Sequence, residues 1–424
     1  MSPQRLPRSA SFSPIWSIAM PLNSRDLDPP QRLLMGPGPA NAHPRVLRAM
    51  AADLLGQFDP EFTAYMEEVM ALYRPIFGTT NRWTFLIDGT ARAAIEASLV
   101  SLTRPGDRVL VINFGRFGLL LEEILTRIGA KISRLDIPWG EVAAHDQIAA
   151  AIDEAAPQVV ATVHGDTSTT TAQPLAGLGA LCRAAGAYSY VDATATLGGM
   201  PFYTDEWELD VVTCGLQKCL GGPAGSAPIT ISDRAAEAIF ARRHIEKGLS
   251  QGEAGGPAPR IQSNYFDLAM IMDYWSEKRL NHHTEATSML YAARECARLA
   301  LEEGLEARWA RHHRAGKAMV AGLRAMGLTV YGQDAYRMAN VTGVFIPEHV
   351  DGEAVRRRMR TEFEIEIGGA FGPLTGKIWR IGAMGVNART HKVLITLGAL
   401  EAVLRAEGLA VPAGAAVDAA RSTF

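Results

Sequence analysis

Thr213-Cys214-Gly215-Leu216-Gln217-Lys218-Cys219-Leu220-Gly221-Gly222-Pro223 places a lysine just beyond an apolar run and just before a glycine-rich turn. The run at 210–214 reads as a buried strand, so the lysine that follows it is partly desolvated. Desolvation disfavours the ammonium form, lowers the pKa and frees the amine for imine formation with a carbonyl compound. A loop lysine is by default a solvated surface group, so the reading of Lys218 turns on what surrounds it.

Working outward, residues 81–232 alternate short apolar runs with amphipathic stretches. Strands are predicted at 83–87, 108–113, 131–135, 159–163, 187–191, 210–214 and 227–231, and helices at 91–102, 119–128, 146–155 and 175–185. Several strands are unbroken Val/Ile/Leu runs, as in a sheet covered on both faces. The helices end in Gly or Pro punctuation (Pro105-Gly106, Gly129, Pro157, Gly186). This is the pattern of an α/β fold with a mostly parallel, doubly wound sheet. Residues 233–285 read as irregular, Gly/Pro-rich around 252–259. A helical stretch at 286–304 then leads into a smaller α+β part, with strands near 341–345 and 378–381 and a last helix near 391–405. The Ala-rich tail after Pro412 is expected to fray. The expected division is an extension over 1–30, a large domain over 31–285 and a small C-terminal domain over 286–424.

Upstream of the lysine, Tyr190-Val191-Asp192-Ala193-Thr194-Ala195 puts an acid at the carboxyl end of a strand, where doubly wound sheets bind ligands. An acid there also commonly caps the next turn. Further upstream, Ile87-Asp88-Gly89-Thr90-Ala91-Arg92 is a strand, a glycine turn and a helix start. The free N–H groups and dipole of such a helix start suit a phosphate, although many α/β proteins have such a junction.

The order of phosphate turn, strand-end Asp and Gln-Lys resembles the fold-type-I pyridoxal-phosphate (PLP) enzymes. The motifs resemble most closely the class V aminotransferases, the alanine–glyoxylate and serine–glyoxylate group. The resemblance runs from Met35-Gly36-Pro37-Gly38-Pro39 to Arg380-Ile381-Gly382-Ala383-Met384-Gly385. It implies that Lys218 carries PLP covalently and that Asp192 pairs with the pyridine nitrogen. It implies that Gly89, Thr90 and Ala91 cradle the phosphate, helped by Gln217. Phe117 stands where the class stacks an aromatic, usually Trp, on the ring, and Thr194 lies under the other face. Thr167, in His164-Gly165-Asp166-Thr167-Ser168, replaces the serine of many relatives near the ring hydroxyl. Thr284, in Asn281-His282-His283-Thr284, resembles the threonine that reaches the phosphate of a neighbouring subunit. Relatives often have Tyr at the place of Asn281. Arg380 resembles the clamp on the substrate carboxylate, a role its planar fork suits.

Within the class, Leu55-Gly56-Gln57-Phe58-Asp59-Pro60 and Gln262-Ser263-Asn264-Tyr265-Phe266-Asp267 resemble the branch that uses (S)-ureidoglycine as amino donor to glyoxylate in purine (allantoin) catabolism. The carboxamides of Gln57 and Asn264 match the carbonyl and N–H groups of a urea. A site built that way rejects donors that leave its polar atoms unpaired. The competing reading is that Gln57 and Asn264 cap turns, and the runner-up donors are alanine, serine or pyridoxamine. A cysteine desulfurase on the same scaffold needs a late-loop cysteine, and residues 362–375 contain none. A PLP lyase and a binding protein without catalysis are the remaining alternatives. The resemblance also implies a homodimer with shared active sites.

Composition bounds these readings. The 424 residues are 48% hydrophobic and 21% charged, with a formal net charge of −3. That balance carries no electrostatic footprint for nucleic acid and no polybasic membrane anchor. No apolar run approaches the ~20 residues of a membrane span. Cys182, Cys214, Cys219 and Cys296 form no CxxC pair, so no metal site is expected and a reduced cytoplasm fits best. The first 25 residues hold Arg5, Arg8 and Arg25 and no acid. That resembles a transit peptide, but Pro3, Pro7 and Pro14 interrupt any helix. A disordered extension, or a start at Met20, is the expectation.

Overall fold

The computed structural model describes residues 26–249 and 258–424. The chain divides after residue 31 into two units, the second being residues 32–424. In the first, the described residues 26–31 hold no helix or strand. The expectations for residues 1–25 lie outside the described residues.

In the second unit a seven-stranded sheet contains β1 (Trp83–Gly89), β2 (Arg108–Asn113), β3 (Lys131–Asp136), β4 (Val159–Val163), β5 (Tyr188–Asp192), β6 (Val211–Thr213) and β7 (Gly225–Ile231). Their spatial order is β1-β7-β6-β5-β4-β2-β3. Strand β7 is antiparallel to both neighbours, and the other adjacent pairs are parallel. Strands β4, β5 and β6 are buried throughout, apart from half-buried Tyr188, which suits the Val-rich runs of β4 and β6. Register aligns Val163 with Asp192 and Asp192 with Thr213. Three strand ends therefore stop side by side, and the segments that follow them open on one edge of the sheet.

Helices α1 (Ala91–Leu102), α2 (Arg116–Ile128), α3 (His145–Ala155) and α4 (Leu178–Ala184) link these strands. Glycines in the left-handed region end some of the turns, as at Gly129 (φ +86°) after α2. Later come α5 (Thr287–Glu303), α6 (Leu305–Ala325), an antiparallel pair β8 (Val341–Phe345) and β9 (Ile378–Gly382), α7 (Thr390–Ala406) and α8 (Ala415–Arg421). Two large apolar clusters result. One surrounds the sheet and takes Leu290, Ala293, Cys296 and Ala300 of α5. The other gathers Met319, Leu323, Trp379, Val393, Leu397 and Ala416 with Met35 from near the start of the unit.

Some expectations are corrected. Residues 233–285 are not uniformly irregular: Asp233–Phe240 and Leu268–Trp275 are helices. Ser232 caps the first by accepting from the Ala235 N–H, and Asp267 caps the second by accepting from Ala269 and Met270. The tail does not fray. Glu401 of α7 accepts the backbone N–H groups of Gly414 (2.7 Å) and Ala416 (3.2 Å), so a side chain from another helix caps α8. Ala416 and Ala420 are fully buried. Their small side chains let α8 lie close to α6, where a Cβ on Gly322 would stand 2.9 Å from the Ala416 carbonyl oxygen.

Candidate active site

A cleft of about 240 Å³ opens where the three strand ends stop. Thr90, Ala91, Phe117, Thr167, Asp192, Thr194, Gln217 and Lys218 line it, so eight predicted cofactor residues from five segments meet in one place. Gly89 directly precedes them at the end of β1, with φ +121°, a region that favours glycine. Helix α1 starts there with no side-chain cap on its first N–H groups. Those groups remain available to an anion.

Lys218 lies in the segment between β6 and β7, and its amine donates to the Pro37 carbonyl. Burial, and next the positive charge of Arg380, push its pKa down to about 8. The loop 36–39 approaches so closely that a Cβ on Gly38 would stand 2.2 Å from the amine. Asp192, 6% exposed, ends β5. One carboxylate oxygen accepts the Thr194 N–H at 2.8 Å, and burial raises its pKa. Asp192 thus fills both of its expected positions at once: it closes a turn and lines the cleft.

Asp166 and Ser168 carry no role predicted from the sequence. Asp166, fully buried, accepts from the Ser168 N–H (2.8 Å) and hydroxyl (2.6 Å) and from the Phe117 N–H (2.8 Å). The Ser168 hydroxyl accepts the Arg116 N–H at 2.9 Å. Together they cap α2, whose own preceding residue is glycine, and fix the backbone that carries Phe117. The Asp-x-Ser spacing was the available signal, since such side chains cap turns and helix starts. Arg92, Ile95, Leu120, Gly165 and Ala195 also line the cleft. Which faces of α1 and α2 turn inward depends on helix docking, and the sequence carried no separate signal for it.

Arg380 projects from β9 into an adjoining cleft of about 370 Å³, lined also by 36–39 and 366–371. Its Nε donates to the Gly369 carbonyl at 2.6 Å and its Nη1 to the Thr167 carbonyl at 2.8 Å. The Phe371 ring lies 4.7 Å away. Burial lowers its pKa to about 10, which leaves it cationic at neutral pH. Through Thr167 the arginine is tied to the lining of the first cleft.

Gln57, Asn264 and Thr284 are not brought to this cleft within the chain. They gather elsewhere. Gln57 donates to Asn281 at 2.8 Å and accepts the Glu285 N–H at 3.2 Å. The Asn264 carbonyl meets His282 Nε2 at 3.2 Å. Asn264 and Thr284 are exposed.

The cleft fits PLP on the chemistry of its donors and acceptors. The Thr194 hydroxyl and Gln217 Oε1 are buried without hydrogen-bond partners among the described residues. Buried polar atoms left unpaired are costly, and both of these line the cleft. A ligand with a phosphate, a ring hydroxyl and a basic nitrogen would satisfy them together with the uncapped α1 start and Asp192.

The comparisons with known proteins agree. Residues 34–378 match the family described as Aminotransferase class-V. The chain is 49% identical to the (S)-ureidoglycine–glyoxylate transaminase of Bacillus subtilis (strain 168), over 94% of this chain and 97% of that protein. It is 34% identical to an alanine–glyoxylate aminotransferase of Drosophila melanogaster, over 91% and 96%. The crystal structure of ureidoglycine–glyoxylate aminotransferase from Bacillus subtilis superposes with a TM-score of 0.89, covering 94% of this chain and 99% of that one. With a lysine, an acid and an uncapped helix start meeting at the strand ends of a fold-type-I sheet, the chain belongs to the class V aminotransferases, enzymes that depend on pyridoxal phosphate.

Proposed function

We propose that this aminotransferase moves the amino group of (S)-ureidoglycine to glyoxylate, giving oxalurate and glycine, as a step in purine-derived ureide breakdown. The observation that carries the reading is the 49% identity over nearly the whole of both chains to a transaminase named for that donor, against 34% to one named for alanine.

PLP, when bound, supplies an aldehyde and an electron-withdrawing ring that stabilises negative charge on the donor's α-carbon. In this proposal Lys218 holds the cofactor covalently, and its Nζ takes the donor's α-proton and gives it back. A pKa near 8 suits that exchange close to neutral pH. Asp192 keeps a proton on the ring nitrogen. Gly89, Thr90 and Ala91 hold the phosphate with Gln217. Phe117 and Thr194 cover the two ring faces, and Thr167 meets the ring hydroxyl. Arg380 grips the donor carboxylate with the part of its fork that the Gly369 and Thr167 carbonyls leave free.

We further propose a homodimer in which Thr284, Asn264 and Gln57 serve the partner's cleft. Their placement away from their own chain's cleft, with Asn264 and Thr284 exposed, supports that reading. The deciding experiment is a donor profile against glyoxylate, reading kcat/KM for ureidoglycine, alanine, serine and pyridoxamine. Ureidoglycine is expected to lead by at least about 100-fold. Alanine or serine in front would refute the donor assignment and leave the aminotransferase class intact.

A further inference from the structure

Behind the phosphate turn, Asp88, His283 and Glu285 bring ligand atoms within 4.8 Å of one another. His283 Nε2 lies 3.3 Å from Asp88 Oδ2 and 3.7 Å from Glu285 Oε2. Among the described residues no other basic group is within ion-pair range of either acid. The Asp88 and Glu285 side chains are 9% and 1% exposed. Among the described residues Asp88 Oδ1, Glu285 Oε2 and His283 Nε2 all lack hydrogen-bond partners. Two desolvated carboxylates facing one imidazole need a cation or protons between them.

The rest of the network prepares the histidine. His283 Nδ1 is 2.8 Å from His282 Nδ1, and His282 Nε2 is 3.2 Å from the Asn264 carbonyl. A carbonyl only accepts, so His282 Nε2 carries a proton. With His282 neutral, its Nδ1 accepts from His283 Nδ1–H, and the lone pair of His283 Nε2 is left pointing at the two acids. This is the arrangement in which a metal-bound histidine donates its second N–H to an outer partner. A second, independent feature aims at the same place. The Tyr274 hydroxyl is fully buried and has no hydrogen-bond partner among the described residues, and its ring is 5.0 Å from that of His283.

We propose that Asp88, His283 and Glu285 form a divalent-metal site, suited to zinc, that clamps the phosphate turn to the 281–285 segment. One imidazole nitrogen and two carboxylate oxygens are ligands zinc accepts, at bonds of about 2.0–2.2 Å. Ligands at such bond lengths stand roughly 3–4 Å apart, as the Nε2–Oδ2 and Nε2–Oε2 distances do. Water or Tyr274 completes the shell. The clamp has a structural consequence. Asp88 precedes Gly89 and also accepts the Ala286 N–H at 2.8 Å, so one ion fixes the turn that meets the cofactor and the segment that carries Thr284. This departs from the sequence expectation of no metal, because the ligands are spread over the sequence and only folding joins them.

The test measures metal rather than turnover. PLP-loaded wild-type protein is equilibrated with zinc chloride, desalted and analysed by elemental mass spectrometry. About one zinc per chain is expected. His283→Ala and Glu285→Gln should retain none, and His282→Ala should bind roughly 10- to 100-fold more weakly. Folding of each variant is checked by circular dichroism. If the variants fail to fold, cobalt-loaded wild type gives an independent readout through the d–d absorbance of a low-coordinate nitrogen/oxygen site. Wild type that retains neither zinc nor cobalt, or variants that retain as much zinc as wild type, would overturn the site. Nitrogen NMR showing a doubly protonated His283 in zinc-treated wild type would do the same.

Discussion

Lys218 illustrates how single residues set the chemistry. Its amine is pushed down to about 8 by burial first and by Arg380 second. Only the unprotonated amine attacks an aldehyde. Uptake of PLP by the cofactor-free protein should therefore speed up with rising pH and level off above about 8, well below the ordinary 10.5. Arg380→Gln removes a positive neighbour, so the midpoint should move upward. The same change should raise KM for a carboxylate donor by roughly 10- to 100-fold, the worth of a charged hydrogen bond. Stopped-flow absorbance across pH, with donor titrations, reads both effects. An unchanged midpoint in the variant would separate the two residues electrostatically. Lys218→Ala should lose the visible cofactor band and, with it, about 100- to 10,000-fold in rate. A variant that keeps the band would place the covalent bond elsewhere.

At the scale of elements, the cap on α2 shows why part of the architecture was legible and part was not. Strands β2 and β4 and helix α1 stand where the sequence put them, because each is a local pattern bounded by its own turn residues. Helix α2 starts at Arg116 rather than 119, because its cap comes from Asp166 and Ser168 in a distant segment. The same cause hid α8, capped by Glu401. Lys218, Asp192 and Gly89 were readable for the matching reason: strand ends are where such sheets bind ligands. Arg92 and Ile95 were not, since helix rotation is a tertiary property. The cap can be tested directly. Asp166→Ala should cost about 1–2 kcal/mol in urea unfolding, as lost helix caps do, and should loosen PLP because Phe117 is no longer fixed. Asp166→Asn keeps an acceptor for the helix and should cost less. Gly115→Ala should resemble Asp166→Ala for a steric reason. Its Cβ would stand 2.4 Å from the Asp166 carboxyl and push it aside, at about 1–3 kcal/mol. Wild-type stability in all three variants would mean that the cap contributes nothing.

On the scale of the whole molecule, the separation of Thr284 and Asn264 from Lys218 within one chain becomes a statement about assembly. If each cleft takes its own Lys218 and the partner's Thr284, damage to the two residues is complementary. A hybrid dimer of one Lys218→Ala chain and one Thr284→Ala chain then has one cleft with both residues intact and one with both altered. If Thr284 serves its own chain, the hybrid has no intact cleft. The two arrangements therefore predict different outcomes from the same mixture. Unfolding and refolding equal amounts of the two variants makes hybrids about half of the dimers, each with one working site, so about a quarter of wild-type activity should appear under a two-fold arrangement. Thr284→Ala alone should bind PLP roughly 10-fold more weakly, the worth of one hydrogen bond to a charged group, so the assay is run at limiting PLP. Differently tagged chains and light scattering confirm that hybrids have formed. Activity no higher than the mean of the parents, with hybrids present, would return Thr284 to its own subunit.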